Sequence, residues 1–151
     1  MSNYFEQQPN PDEIREKMKS FSSWFEVNLD NIGYNLNGIR QRVGVEVMAV
    51  VKNNAYGHGL IPVTAYLNQS GVNWFMVAKL HEALKIKETG LDCNVLNMDA
   101  LFSENQFDLV VKHDIVQTVY RKDTAERLNE FRQILAVKQE QAASLRHALK
   151  Q

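Results

Sequence analysis

This chain is short of cysteine, of excess charge and of long apolar runs. Of its 151 residues only Cys93 is a cysteine, so no intrachain disulfide can form, which fits a reducing compartment. Its 17 basic and 18 acidic residues leave a formal net charge of −1, so no general attraction to nucleic acid is implied. No apolar stretch is long enough to span a bilayer. The opening Met1 to Asn10 is polar and lacks a basic segment followed by an apolar one, so it does not read as a secretory signal. The expectation is a cytoplasmic protein with neither nucleic-acid nor membrane partners. A hydrophobic content of 44% against 23% charged residues is ordinary for a globular chain and is enough to build one core.

Strands and helices alternate along most of the length. Asn10-Pro11-Asp12-Glu13 combines a capping residue, a proline at the first helical position and acids in the first turn, which predicts a helix over 11–20. Trp24 to Leu29 partly alternates and suits a short strand. Asp30 is expected to cap a helix with Ile32, Leu36 and Ile39 on one face, ended by Gly44. Val45 to Val51 is a nearly continuous apolar strand of the parallel, doubly buried kind. Helices over 60–68, 80–89 and 101–107 then alternate with strands over 74–78, 93–98 and 115–120, the third helix with Leu109-Val110-Val111 as its candidate end. The fold class is therefore α/β with parallel strands. About four βα units make half of an eight-stranded (β/α)8 barrel, a partial TIM barrel.

The last segment differs. Leu128, Phe131, Leu135, Lys138, Ala142, Leu145 and Leu149 fall at alternating spacings of three and four along a long C-terminal helix opened by Asp123. The favoured reading is an amphipathic helix lying on its own sheet; the other is a dimerisation helix. The resulting division is an extension with a short helix over 1–21, a half-barrel over 22–131 and a helical tail over 132–151.

The chemistry concentrates in Ala49-Val50-Val51-Lys52-Asn53-Asn54-Ala55-Tyr56-Gly57-His58-Gly59. Lys52 ends a buried strand, where barrels place catalytic groups. A lysine there can be partly desolvated, which lowers its pKa and leaves a nucleophilic amine able to condense with an aldehyde cofactor. From position alone, a lysine reaching into solvent has the larger share. Tyr56 shifts that balance, because its hydroxyl can reach an anion held near the amine. Gly57 and Gly59 permit close backbone approach, and Gly59 precedes a helix start that favours negative charge. The bland reading of the two glycines is a tight turn, with His58 as a turn residue. His81, His113, His147, Arg121 and Lys122 read better as surface or helix-end residues than as a site, and Cys93 as a packed strand residue.

The same eleven residues closely resemble the pyridoxal-phosphate attachment motif of alanine racemases, with Asn53 as the one departure, where the family has alanine. Trp24 to Asp30 resembles the family's opening strand and Asn35-Leu36 its first-helix signature. Trp74 to Ala78, Glu82-Ala83-Leu84 and Gly90 resemble the second strand and helix, so the likeness covers about residues 22–131. It implies a fold-type III enzyme whose cofactor, pyridoxal 5'-phosphate, is bound as a Schiff base to Lys52. Lys52 would move the α-proton on one face, Tyr56 would bind the phosphate and Val50 would lie beside the ring. No metal is implied.

The implied activity is interconversion of L- and D-alanine, feeding D-alanine biosynthesis for the cell wall. The family's later active-site arginine strand and its C-terminal domain, with the opposite-face tyrosine, have no match here. The expectation is a truncated isomerase, weak or inactive alone. The alternatives are a non-catalytic cofactor-binding or racemase-partner module, and a non-functional remnant. An unclosed sheet edge needs cover, from the last helix or from a second chain in a homodimer that completes the barrel.

Overall fold

The computed structural model describes the backbone of residues 4–148 and the side chains of residues 4–142. A 3-10 turn at Tyr4–Gln7 precedes helix α1, Pro11–Met18. The start of α1 is a full capping box. Asn10 Oδ1 accepts from the amides of Asp12 and Glu13, and Glu13 Oε2 accepts from the amide of Asn10. Helix α2, Leu29–Val43, is capped by Asn28 rather than Asp30, because the Asn28 side chain accepts from the amide of Asn31. It ends at Gly44 in the left-handed conformation, as predicted.

Four parallel strands come next in sequential order: β1, Met48–Val50; β2, Trp74–Val77; β3, Asn94–Asn97; and β4, Val116–Gln117. Between β1 and β2 lie a short turn, α3 (Lys52–Tyr56), and helix α4 (Leu60–Gln69). Helix α5 (Leu80–Glu88) separates β2 from β3, and α6 (Glu104–Lys112) separates β3 from β4. The 27-residue α7, Lys122–Ala148, closes the order. The α/β class and the parallel partial barrel stand as expected. Each strand is shorter than its apolar run.

The sheet has two unlike faces. Phe75, Val77 and Val95 are fully buried and belong to one core with Val63 and Leu67 of α4, Ala83 and Ile86 of α5, and Phe107 and Val110 of α6. Helices α2 and α4 meet where Gly33 leaves room for the Tyr66 ring; a Cβ there would stand 2.6 Å from the phenol oxygen. On the other face, Val50, Met76, Leu96 and Val116 stand in register as one apolar row, and Val50 and Val116 are exposed. This is the face a closed barrel turns inward.

Two expectations are corrected. The strand predicted over Trp24–Leu29 does not form. Residues 21–28 have no regular structure, no strand pairs with them, and Phe25 is 100% exposed. An alternating pattern specifies which side is apolar, but a strand also needs a hydrogen-bonding neighbour. The long helix packs chiefly on α6 rather than flat on the sheet. Its first turns pack on α6, with the Phe131 ring stacked 5.9 Å from that of Phe107. Arg127 adds ion pairs to Glu104 and Glu130. Further along, Leu135 and Ala142 are half-buried while Lys138, Ile134 and Val137 are exposed. The side chain of Leu145 and the whole of Leu149, the last seam positions, lie outside the described residues, as does the His147 side chain.

Candidate active site

The apolar strand β1 is followed by buried Val51, whose amide donates to the carbonyl of Met76 (2.8 Å) and so extends the parallel pairing by one step. Lys52 comes next, half-buried at the C-terminal end of the sheet. The backbone then enters a left-handed turn. Asn53, Asn54, Ala55 and Tyr56 have φ of 53°, 58°, 52° and 54°, and Gly57 continues at 89°. Each non-glycine residue in this region is disfavoured by about 1–2 kcal/mol, asparagine least among them. Asn53, with φ and ψ of 53° and 51°, is a residue that tolerates this conformation better than alanine does.

The strain is offset by a dense set of hydrogen bonds centred on Asn54. Its carbonyl accepts from the amides of Gly57 (3.1 Å) and Gly59 (2.9 Å). Its side-chain Oδ1 accepts from the amide of Leu60 (2.9 Å), satisfying the first free N–H of α4. Its own amide donates to Glu82 Oε1 (3.1 Å) on α5, and Glu82 is only 5% exposed. His58 Nδ1 lies 2.9 Å from the carbonyl of Ala55, which makes it a turn-stabilising residue.

The turn brings Lys52 and Tyr56 together. Lys52 Nζ stands 5.7 Å from the centre of the Tyr56 ring, a cation–π distance. Tyr56 is 59% exposed, so the pair opens to solvent rather than into a closed cavity. Val50 is exposed on the open sheet face, two residues before the lysine. Lys52, Tyr56 and Val50 therefore lie along one strand end and turn. A cavity of about 500 Å³ is lined by Asn53, Asn54, Lys79, His81, Glu82 and Lys85 among others, and neither Lys52 nor Tyr56 lines it.

Neighbouring strand ends are tied by polar contacts. Lys79 Nζ and Asp99 Oδ2 pair at 2.7 Å, which holds the Asp99 carboxyl below its usual range against the opposing effect of desolvation. Asn97 and Gln117 join β3 to β4 through their side chains at 2.8 Å. Of the weaker candidates, Arg121 pairs with Asp123 and Lys122 with Glu126, both solvated at the helix start. His81 is exposed and His113 caps the end of α6. Cys93 is buried just before β3, and burial pushes its thiol pKa up despite the nearby Lys87 ammonium. Sequence reasoning missed the buried role of Glu82. Its position at the third residue of α5 hints at a cap, but its partner Asn54 is 28 residues away in the chain.

Parallel βα layers with functional groups at the C-terminal strand ends define a barrel-type α/β domain. A family model described as "Alanine racemase, N-terminal domain" matches residues 27–147, and the chain belongs to that family. Among similar proteins, alanine racemase 1 of Clostridium acetobutylicum is 37% identical over 108 residues, which cover 71% of this chain and 28% of that one. Alanine racemase 1 of Caldanaerobacter subterraneus subsp. tengcongensis is 40% identical over 107 residues, covering 70% and 27%. The solved alanine racemase of Clostridium difficile 630 superposes with a TM-score of 0.72 at 31% identity, covering 78% of this chain and 32% of that one. The chain thus spans under a third of the length of these relatives. Among the described residues no helix is long and apolar enough to cross a membrane.

Proposed function

We propose that this chain is the lysine-bearing half of an alanine racemase barrel and that Lys52 is its cofactor lysine. The observation that carries the reading is the pairing of an amine and a phenol on one strained turn at the strand ends, 5.7 Å apart, in a chain of this family. The residues present fit pyridoxal phosphate in part. Lys52 offers the amine that holds its aldehyde carbon, Tyr56 a hydroxyl for its phosphate, and exposed Val50 an apolar wall for its ring. When bound, the cofactor supplies an electron sink that acidifies the α-proton of an amino acid. With the cofactor in place, the Lys52 amine would take or return that proton on one face. Tyr56, beside the amine, orients the anionic end and keeps the lysine side chain in place.

Racemisation also needs a proton delivered to the opposite face. In this reading that second group comes from sequence beyond the stretch shared with the relatives. Residues 22–131 act as the cofactor half-barrel, 1–21 as an extension and 132–151 as a tail, in the cytoplasm. Acting alone, the chain converts L- to D-alanine weakly or not at all. Chiral analysis of alanine incubated with purified chain and cofactor tests this; turnover at a rate ordinary for enzymes contradicts it.

A second reading has its own observation. The row Val50, Met76, Leu96 and Val116 is not covered by helices, and β1 and β4 each pair on one side only among the described residues. A parallel sheet with an open face and two free edges suits a module that joins another half-barrel, a second copy or a racemase-like chain, without turnover of its own. Sedimentation of the purified chain distinguishes them: a strict monomer removes pairing with a second copy.

A further inference from the structure

Glu82 is a buried carboxylate with two amide donors from different elements. Oε1 accepts from Asn54 of the lysine turn at 3.1 Å, and Oε2 from Lys79 at the start of its own helix at 3.3 Å. Burying a carboxylate is costly unless its oxygens are satisfied, so an acid here signals a structural demand from its partners. That demand is visible in the turn, where four consecutive non-glycine residues are held at positive φ. Such a run persists only when its surroundings over-determine it.

Asn54 is the residue through which the surroundings act. It sits between Lys52 and Tyr56, bonds the end of the turn through its carbonyl and the start of α4 through its side chain, and reaches α5 through its amide alone. Without Glu82, the turn loses its one hydrogen bond to α5 given by Asn54, and the Asn54 and Lys79 amides lose the oxygens they point to. We infer that Glu82 is the positioning residue of the site: its carboxylate fixes the left-handed turn and thereby sets Lys52 beside Tyr56. This rests on the reading of Lys52 as the cofactor lysine, which it deepens by naming what aims that side chain.

The test uses the full chain as wild type, Glu82→Gln, Glu82→Ala and Val110→Ala, the last removing buried volume in α6 away from the turn. Amide hydrogen exchange is measured first, without cofactor. Glu82→Ala is expected to speed exchange at Asn54, Gly59 and Leu60 about tenfold relative to Phe75 and Val95 in the sheet. Glu82→Gln keeps one acceptor oxygen and is expected to show a smaller effect of the same pattern. Val110→Ala is expected to leave the ratio unchanged. Pyridoxal phosphate binding is then followed by absorption, and the modified lysine is mapped after borohydride reduction. Glu82→Ala is expected to weaken labelling of Lys52 about tenfold, Glu82→Gln less, and Val110→Ala not at all. If Glu82→Ala does not fold, Glu82→Gln decides by the same two readouts. Unchanged exchange at Asn54 and Leu60 in the folded Glu82 variants overturns the inference. Failure of wild type to label Lys52 overturns the cofactor reading instead, while the exchange pattern still decides whether Glu82 holds the turn.

Discussion

The amide of Asn54 and the carboxylate of Glu82 meet at 3.1 Å although 28 residues separate them. The bond joins the turn after the first strand to the helix after the second. In a parallel α/β fold these two connections are neighbours at the same sheet end, so a side chain on one can discipline the backbone of the other. The site is thus a property of two adjacent βα units rather than of the motif alone.

The left-handed turn makes a prediction about the residue that departs from the family motif. Asn53→Ala is expected to lower stability by about 1 kcal/mol, because alanine lacks the tolerance of asparagine for this conformation. Urea unfolding at constant slope measures it. An unchanged midpoint would mean that the turn does not take the left-handed path.

The long helix is anchored at its beginning. Phe131→Ala removes a half-buried ring stacked on Phe107 and is expected to cost about 2 kcal/mol. Val137→Ala, at an exposed position on the same helix, is expected to change stability by less than about 0.5 kcal/mol. Equal losses would place the helix differently against the domain.

Asp99 gives a pH signature. The hydrogen bond from Lys79 depresses its pKa in the folded state. Its contribution to stability is therefore present above the unfolded carboxyl value of about 3.9 and is lost as pH falls through the lower folded value. The pair is half-exposed, so the effect is small and is best read at the group itself. Carboxyl-carbon NMR is expected to show Asp99 titrating below the ordinary aspartate range and moving up in Lys79→Met. An ordinary midpoint in both proteins would remove the pair.

Cys93 is expected to resist thiol reagents in the folded protein, since burial both shields it and raises its pKa. Labelling is expected to accelerate only through the unfolding transition. Rapid labelling of native protein at neutral pH contradicts this placement.

Much of the fold is readable from residue order. The alternation of apolar strands with capped helices predicts four parallel strands, and Gly44, Gly71 and Gly90 mark helix ends where the chain turns at positive φ. The eleven-residue motif points to Lys52 and Tyr56, which the fold brings side by side. Other features are hidden for identifiable reasons. Trp24 to Leu29 has the pattern of a strand, yet strand formation depends on a neighbour that no local pattern reveals. The positive φ run falls on Asn53, Asn54, Ala55 and Tyr56, where no glycine announces it. The role of Glu82 depends on a contact across the fold. The long helix has an apolar seam that says what it can bury, while the choice of α6 over the sheet is made by the stacking of Phe131 on Phe107.

The central claim, that Lys52 is the cofactor lysine, is tested most directly by titrating the chain and its Lys52→Ala variant with pyridoxal phosphate while recording visible absorption. The account predicts a saturable band from lysine-bound cofactor in the wild type that is lost in the variant. A band of equal strength in both proteins, as surface lysines alone would give, or no band in either, would contradict it.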